Sequence, residues 1–465
     1  MKKVILLFLL LLMPLYFYAQ HFSLTVNSKN IQADSVHIQA FDAKKNFQNI
    51  LSAPYSENTV IKQKDKLAPG LYRVTYDSTE IFDLLISEEK RQNLTVTVVS
   101  NDSVRFENSD ENNKFIAYNK ITAEYDRQAQ ELNATFEDAR KTMPQYMLQN
   151  LVKNLVIQMD SISEAKKNYQ LRVINENPGL LLASVVQFSM DLPRPPQNYY
   201  NNSSLMGQYY AEHAYDNFPF ADERMANVPA TFMSLREYCG TVFYMDPQAA
   251  AQFIDNLLNK ARVDSKIYHT FFDYFERVFG TLTSPYWTED IYRSMLKNAL
   301  SYDQIDPKRI EYYKTVLELH SKNLPGTYVP DFKIRWADGT ESSLYDIKSD
   351  YLLLYFQNPD CPTCTEVRGI LDKNQDLDRA IQSGKLKVVT IYFEQDEDLW
   401  QRYLKNKANP KYLHGWEFEN RIEKEQLYDI RIIPFMFLLD KDKKVIKKDI
   451  YYNEISEYLK RYNIQ

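Results

Sequence analysis

The apolar pattern changes character twice along these 465 residues, from strand alternation to helical spacing to a mixture of the two, and one layered core cannot satisfy all three. From Phe22 to about Phe106, apolar residues alternate in short runs: FSLTV, SVHIQAF, TVIKQ, GLYRVTY, EIFDLLI, LTVTVV and SVRF. Alternation turns one face of each run towards a core, so residues 21–108 are predicted to form a small antiparallel, sandwich-like β-domain. Asn101-Asp102 and the stretch 108–113 supply breaks. The spacing then lengthens to that of a helix, through Phe115, Tyr118, Ile121 and Tyr125 and on past Leu171. ENPGLLLASVV begins another helix with Pro178 near its start, and LPRPPQNYYNNSS (192–204) reads as an exposed loop. Further helices are expected near 249–261, 268–279, 290–300 and 309–324, so residues 109–324 form an α-helical region.

NLPGTYVPDF interrupts the helical spacing with two prolines and a glycine and marks a domain boundary. Residues 325–465 then alternate types: strand FKIRW, a turn at Asp338-Gly339, strand YLLLYFQ, a helix over 362–374 and strand KLKVVTIYF. Helix EDLWQRYLKN follows, then a short helix over 421–428, strands FMFLLD and KVIKKDI, and a closing helix over 454–462. Unbroken apolar strands between helices imply an α/β sheet covered on both faces and partly parallel.

A formal net charge of -6, with both signs interspersed, gives no basic field for a nucleic-acid backbone. Only 10 glycines are present and no phosphate-cradling glycine pattern occurs. Residues 1–20 stand apart: Lys2 and Lys3 precede an apolar run from Val4 to Met13. This is the pattern of a secretory signal peptide, with an uncleaved anchor as the alternative, and no cysteine there could carry a lipid. The expected location is the periplasm or cell envelope, with membrane contact only through the export signal.

Three cysteines cannot staple a chain of this length, so the close pair in QNPDCPTCTEV is judged on its context. Cys361 follows a buried-type strand, and Pro362 suits the first turn of a helix. A sulfur there meets unpaired N–H groups that favour thiolate, and Cys364 follows one turn on. Cys361 would attack a substrate disulfide and Cys364 would resolve the adduct. Zinc uses the same spacing but needs four ligands; the remaining candidates are Cys239 and six scattered histidines, so no metal is expected. Cys239 reads as a buried inert thiol. His414 reads as structural, and the acidic run Glu394, Asp396, Glu397 and Asp398 as helix N-terminal charge.

The second element is Pro434 in RIIPFMFLLD, 70 positions beyond Cys364. Strand, C-x-x-C, helix, strand, helix, then Ile-Pro, an apolar strand and a hairpin resembles the thioredoxin fold. VPDFKIRWADGTESSLYDI and the inserted helix and strand at 396–418 are similar to its exported TlpA-like branch. GLYRV, SDENNKFIAY and YFQNPDCPTC further resemble multidomain thioredoxin-like proteins exported by Bacteroidetes. The resemblance implies a cis Pro434 against the active-site pair, with Ile433 presenting its backbone to a substrate strand. It departs from the family at Asp360, which stands where thioredoxins have tryptophan and whose carboxylate opposes a neighbouring thiolate. Tyr355 replaces a buried acid, and Pro362-Thr363 supply neither imidazole nor a full set of backbone donors. The expectation is an exported thiol–disulfide oxidoreductase working as a reductase on protein or peptide disulfides. Its only redox group is the Cys361–Cys364 pair, recharged by an upstream thiol donor. The alternative is an envelope binding or scaffolding protein whose cysteines turn over little.

Overall fold

The computed structural model describes residues 22–29, 31–87, 92–100 and 103–464. The leader at 1–20 and the break at Asn101-Asp102 lie outside them. Two compact units divide the chain, Met1–Asn298 and Ala299–Gln465.

The first unit opens with eight strands: β1 (Phe22–Ser28), β2 (Ser35–Asp42), β3 (Asn46–Pro54), β4 (Asn58–Gln63), β5 (Gly70–Tyr76), β6 (Thr79–Ile86), β7 (Gln92–Ser100) and β8 (Ser103–Phe106). They form two four-stranded sheets, ordered β4-β1-β7-β8 and β3-β2-β5-β6. Phe22, Leu24 and Val26 of one sheet share a single core with Val36, Ile38, Val74 and Leu84 of the other, the sandwich that the alternation predicts. Two details differ. β1 pairs with β7 in parallel, so the domain is not wholly antiparallel. β3 has no fully buried residue, which removes the apolar alternation that would mark it in sequence.

Helices follow: α1 (Asp110–Thr142), α2 (Gln145–Glu176), α3 (Leu181–Phe188), α4 (Ser203–His213), α5 (Pro229–Phe243), α6 (Pro247–Ala261), α7 (Ser265–Phe279) and α8 (Glu289–Leu300). The long stripe from Phe115 is two helices joined at Met143-Pro144, because proline cannot continue α1. Pro178 lies near the start of α3, in the turn just before its N-cap Leu180. The 192–204 loop contains one short 3-10 turn, Gln197–Tyr199, and α4 begins before the loop was expected to end. The polar stretch 108–113 does more than break the chain. Asn112 Oδ1 accepts from Leu85 N–H at 2.8 Å while its amide donates to Leu85 C=O at 2.9 Å. Asn113 brackets Phe106 in the same way, at 2.8 Å both ways, and Asn108 spans Asn93 and Thr95. Three side-chain amides thus satisfy strand-edge groups where α1 leaves the sandwich.

The second unit holds α9 (Pro307–His320), β9 (Lys333–Trp336), β10 (Glu341–Ser343), β11 (Tyr351–Phe356), α10 (Pro362–Leu371), α11 (Gln375–Gln382), β12 (Leu386–Tyr392), α12 (Glu397–Asn406), β13 (Leu413–Trp416), α13 (Arg421–Lys424), β14 (Phe435–Asp440), β15 (Val445–Lys448) and α14 (Ile455–Arg461). Its seven strands run β10-β9-β13-β12-β11-β14-β15, with β11, β12 and β13 parallel and the outer pairs antiparallel. Alternate residues of β11 enter two cores: Leu352, Leu354 and Phe356 pack with Tyr428 and Ile422, while Leu353 and Tyr355 pack with Val367, Leu371 and Leu459. Burial on both faces explains its unbroken apolar run. Gly415 in β13 is required by close approach: a Cβ there would stand 2.3 Å from Ile334 Cγ2. The multidomain order is therefore the expected one: a β-sandwich, helices, then a mixed α/β sheet.

Candidate functional site around Cys361

β11 ends at Phe356, and a five-residue turn carries the chain to α10. Asn358 shapes this turn: its Oδ1 accepts from Asp360 N–H at 2.8 Å and its carbonyl from Cys361 N–H at 3.2 Å. Cys361 is the N-cap of α10 and Pro362 occupies the first turn, where its missing N–H costs nothing. Cys361 Sγ accepts from the Cys364 backbone N–H at 3.3 Å, so the sulfur sits at the positive end of the helix. It is half-buried, whereas Cys364 has no exposed surface, and both are free thiols. Asp360, Pro362 and Thr363 are exposed around them.

From the far side of the sheet junction comes the segment before β14. The Ile433-Pro434 peptide is cis, and the Ile433 carbonyl lies 4.0 Å from Cys361 Sγ. Ile433 and Pro434 are partly exposed beside the sulfur. The segment is anchored upstream by Asp429, buried, whose carboxylate receives Lys448 Nζ at 2.6 Å and faces His320 Nδ1 at 3.3 Å and Arg431 Nε at 3.4 Å. Burial pushes the Asp429 carboxyl up, but those neighbours outweigh it and hold it below its ordinary value.

Behind the pair, burial pushes the Cys364 thiol up to about 12, partly offset by the Asn358 N–H and the Arg368 charge. Tyr355 donates its hydroxyl to Cys364 C=O at 3.1 Å, and burial holds its phenol well above its ordinary value. It positions backbone and offers no base at neutral pH. His414 is buried too: Nε2 faces Asn409 C=O at 2.8 Å, so this nitrogen carries the proton and Nδ1 accepts from Thr390 Oγ1 at 2.7 Å. Desolvation keeps the ring neutral, a structural histidine. Asp396 caps α12 by accepting from Leu399 N–H at 2.8 Å, which accounts for the acidic run. Cys239 is buried in α5 with its thiol pushed up by burial.

The structure thus brings together Cys361, Cys364, Ile433 and Pro434. Sequence reasoning missed Asn358, Gln357 and Arg368. It also missed a cavity of about 540 Å³ in the helical part of the first unit, lined by Tyr215, Tyr238, Phe253 and Leu257. Asn358 alone had a signal, an Asn-Pro-Asp turn after an apolar strand.

Residues 349–445 match a family described as thioredoxin-like, and residues 147–323 match a domain of unknown function. A thioredoxin-like protein from Bacteroides caccae is 29% identical, covering 59% of this chain and 99% of its own, with a TM-score of 0.54. The C-terminal domain of an uncharacterised Bacteroides fragilis protein is 32% identical over 30% of this chain and 99% of its own, with a TM-score of 0.29. The thioredoxin domain of a Bacteroides vulgatus thiol-disulfide oxidoreductase is 18% identical over 30% of this chain and 97% of its own, with a TM-score of 0.27. No curated protein matches. The C-terminal module is thioredoxin-like, and the family match supports a redox-type function for it.

Proposed function

We propose that this multidomain protein with a thioredoxin-like C-terminal module is a thiol–disulfide oxidoreductase that reduces disulfides in other proteins or peptides, with export to the envelope as its setting. One observation carries the reading. A half-buried sulfur caps a helix N-terminus beside a cis-proline segment, and a second, fully buried sulfur lies one turn behind it.

The Cys361 thiolate attacks one sulfur of a substrate disulfide, forming Cys361–S–S–R and expelling the other half as a thiolate that takes a proton from water. Cys364 then attacks the Cys361 sulfur, closing Cys361–Cys364 and releasing R–S⁻. Two electrons pass from protein to substrate, and an upstream thiol donor must return them. Ile433 and Pro434 form the shelf on which the substrate chain lies. Asp360 sets a carboxylate beside the nucleophile, a feature that favours a reducing couple over a strongly oxidising one.

Reduced protein is expected to cleave a peptide disulfide, Cys361→Ser to lose cleavage, and Cys364→Ser to accumulate a mixed disulfide through Cys361, identified by mass spectrometry. Equal rates for wild type and Cys361→Ser would overturn the proposal. The scaffolding alternative expects neither sulfur of the folded, reduced protein to react with an alkylating agent. The exposure of Cys361 favours the redox reading.

A further inference from the structure

Arg368 lies one turn beyond Cys364 on α10 and is only 5% exposed. Nη1 donates to Gln357 Oε1 at 3.0 Å and Nη2 to Thr365 Oγ1 at 3.1 Å, and Cζ stands 5.3 Å from the centre of the Tyr403 ring. Among the described residues no carboxylate pairs with this guanidinium. Neutral amide and hydroxyl oxygens and a ring face orient it without discharging it. A buried cation lacking an anion is expensive to keep and suits a site where negative charge appears during turnover.

The titratable groups around Cys364 leave one candidate for that charge. Cys361 and Arg368 face it from α10 and Tyr355 from β11, while Tyr403 of α12 and His414 of β13 surround Arg368. Tyr355 and His414 are held neutral by burial, and position 355 offers no carboxylate to take the Cys364 proton. Cys364 itself must become anionic to attack the mixed disulfide, although burial drives its thiol up to about 12. Of these groups only Arg368 carries a fixed positive charge.

We propose that Arg368 is a positioning residue whose buried guanidinium stabilises the Cys364 thiolate during the resolving step. The inference rests on the oxidoreductase reading above. In that step Cys364 gives its proton to solvent base, its sulfur bonds to Cys361 Sγ as the Cys361–S–R bond breaks, and the departing R–S⁻ is protonated by water. Arg368 moves no proton; it makes the anion easier to form.

The test compares reduced full-length wild type with Arg368→Met, Arg368→Gln and Arg368→Lys against a peptide disulfide with a chromophoric second thiol, with acid-quenched samples weighed by mass spectrometry. The two neutral variants are expected to accumulate the mixed disulfide and to release the second thiol at least tenfold more slowly at pH 7, the deficit closing as pH rises. Arg368→Lys is expected to stay within threefold of wild type. In a Cys361→Ser background, the Cys364 ¹³Cβ resonance should titrate at higher pH once Arg368 is neutralised, a readout that needs no turnover. Wild-type release rates and an unmoved Cys364 titration in either folded neutral variant would overturn the role of Arg368 alone. A wild type that forms no adduct at Cys361 would instead overturn the oxidoreductase reading, and this inference with it.

Discussion

Burial holds Cys364 as a thiol, and that has a measurable sign. Its unfolded value is about 8.5, and its folded value is pushed up to about 12 by desolvation. Below pH 8.5 both states keep the proton and the contribution to stability is intact. As pH climbs from there towards 12 the unfolded chain loses its proton first, so stability of the reduced protein falls. A chain with serine at 364 has no such proton to lose. Urea unfolding across this range should therefore show Cys361→Ser losing stability relative to Cys361→Ser/Cys364→Ser as pH rises, a comparison in which the Cys364 proton is the titrating group removed. At this scale the placement of Cys361 and Cys364 at a helix start after a buried strand, and of Pro434 ahead of an apolar strand, was legible from the order of strand, helix and proline. Arg368 was not: an arginine on a helix reads as a solvated face, and its burial depends on Tyr403 from α12 and Gln357 after β11, which spacing alone does not bring together.

Elements position the site through two kinds of contact. The segment before β14 is tethered by Asp429, whose buried carboxylate serves Lys448, Arg431 and His320 together. Asp429→Ala would strand buried cations and is expected to cost about 3–5 kcal/mol in unfolding free energy, with disulfide cleavage falling as Ile433 and Pro434 lose their fixed place beside Cys361. A lowered thermal midpoint together with reduced activity checks it; an unchanged midpoint would contradict the anchoring role. Gly415 fixes the spacing of β13 between β9 and β12. Gly415→Ala must displace Ile334 and is expected to cost about 1–3 kcal/mol, read by denaturant midpoint. Strands such as β11 were legible because both faces are buried and the run is unbroken. β3 and β10 were not, since neither has a fully buried residue to mark one face. α5 went unread because its buried Thr231, Leu235, Tyr238, Cys239 and Val242 lie among polar residues in a mixed stretch.

Across the whole molecule, the order sandwich, helices, α/β module followed from period changes and the breaks at 108–113 and 323–332 from turn residues, while the bonds that build the first junction did not. Residues 108–113 look like turn chemistry, yet Asn112 completes the edge of β6 by pairing with both backbone groups of Leu85. Asn112→Ala leaves both buried groups unpaired, at about 1–3 kcal/mol for each, so the first unit should melt earlier while the Cys364→Ser chain still traps mixed disulfide. Calorimetry with adduct mass spectrometry tests both halves, and loss of trapping would show that the module depends on the sandwich. The contact between Cys361 Sγ and the Ile433 carbonyl joins residues 72 positions apart. A ribosome must add all of those residues before the two halves can meet. Through that interval the Cys-Pro-Thr-Cys segment lacks the Ile433-Pro434 backbone that later covers one side of its first sulfur.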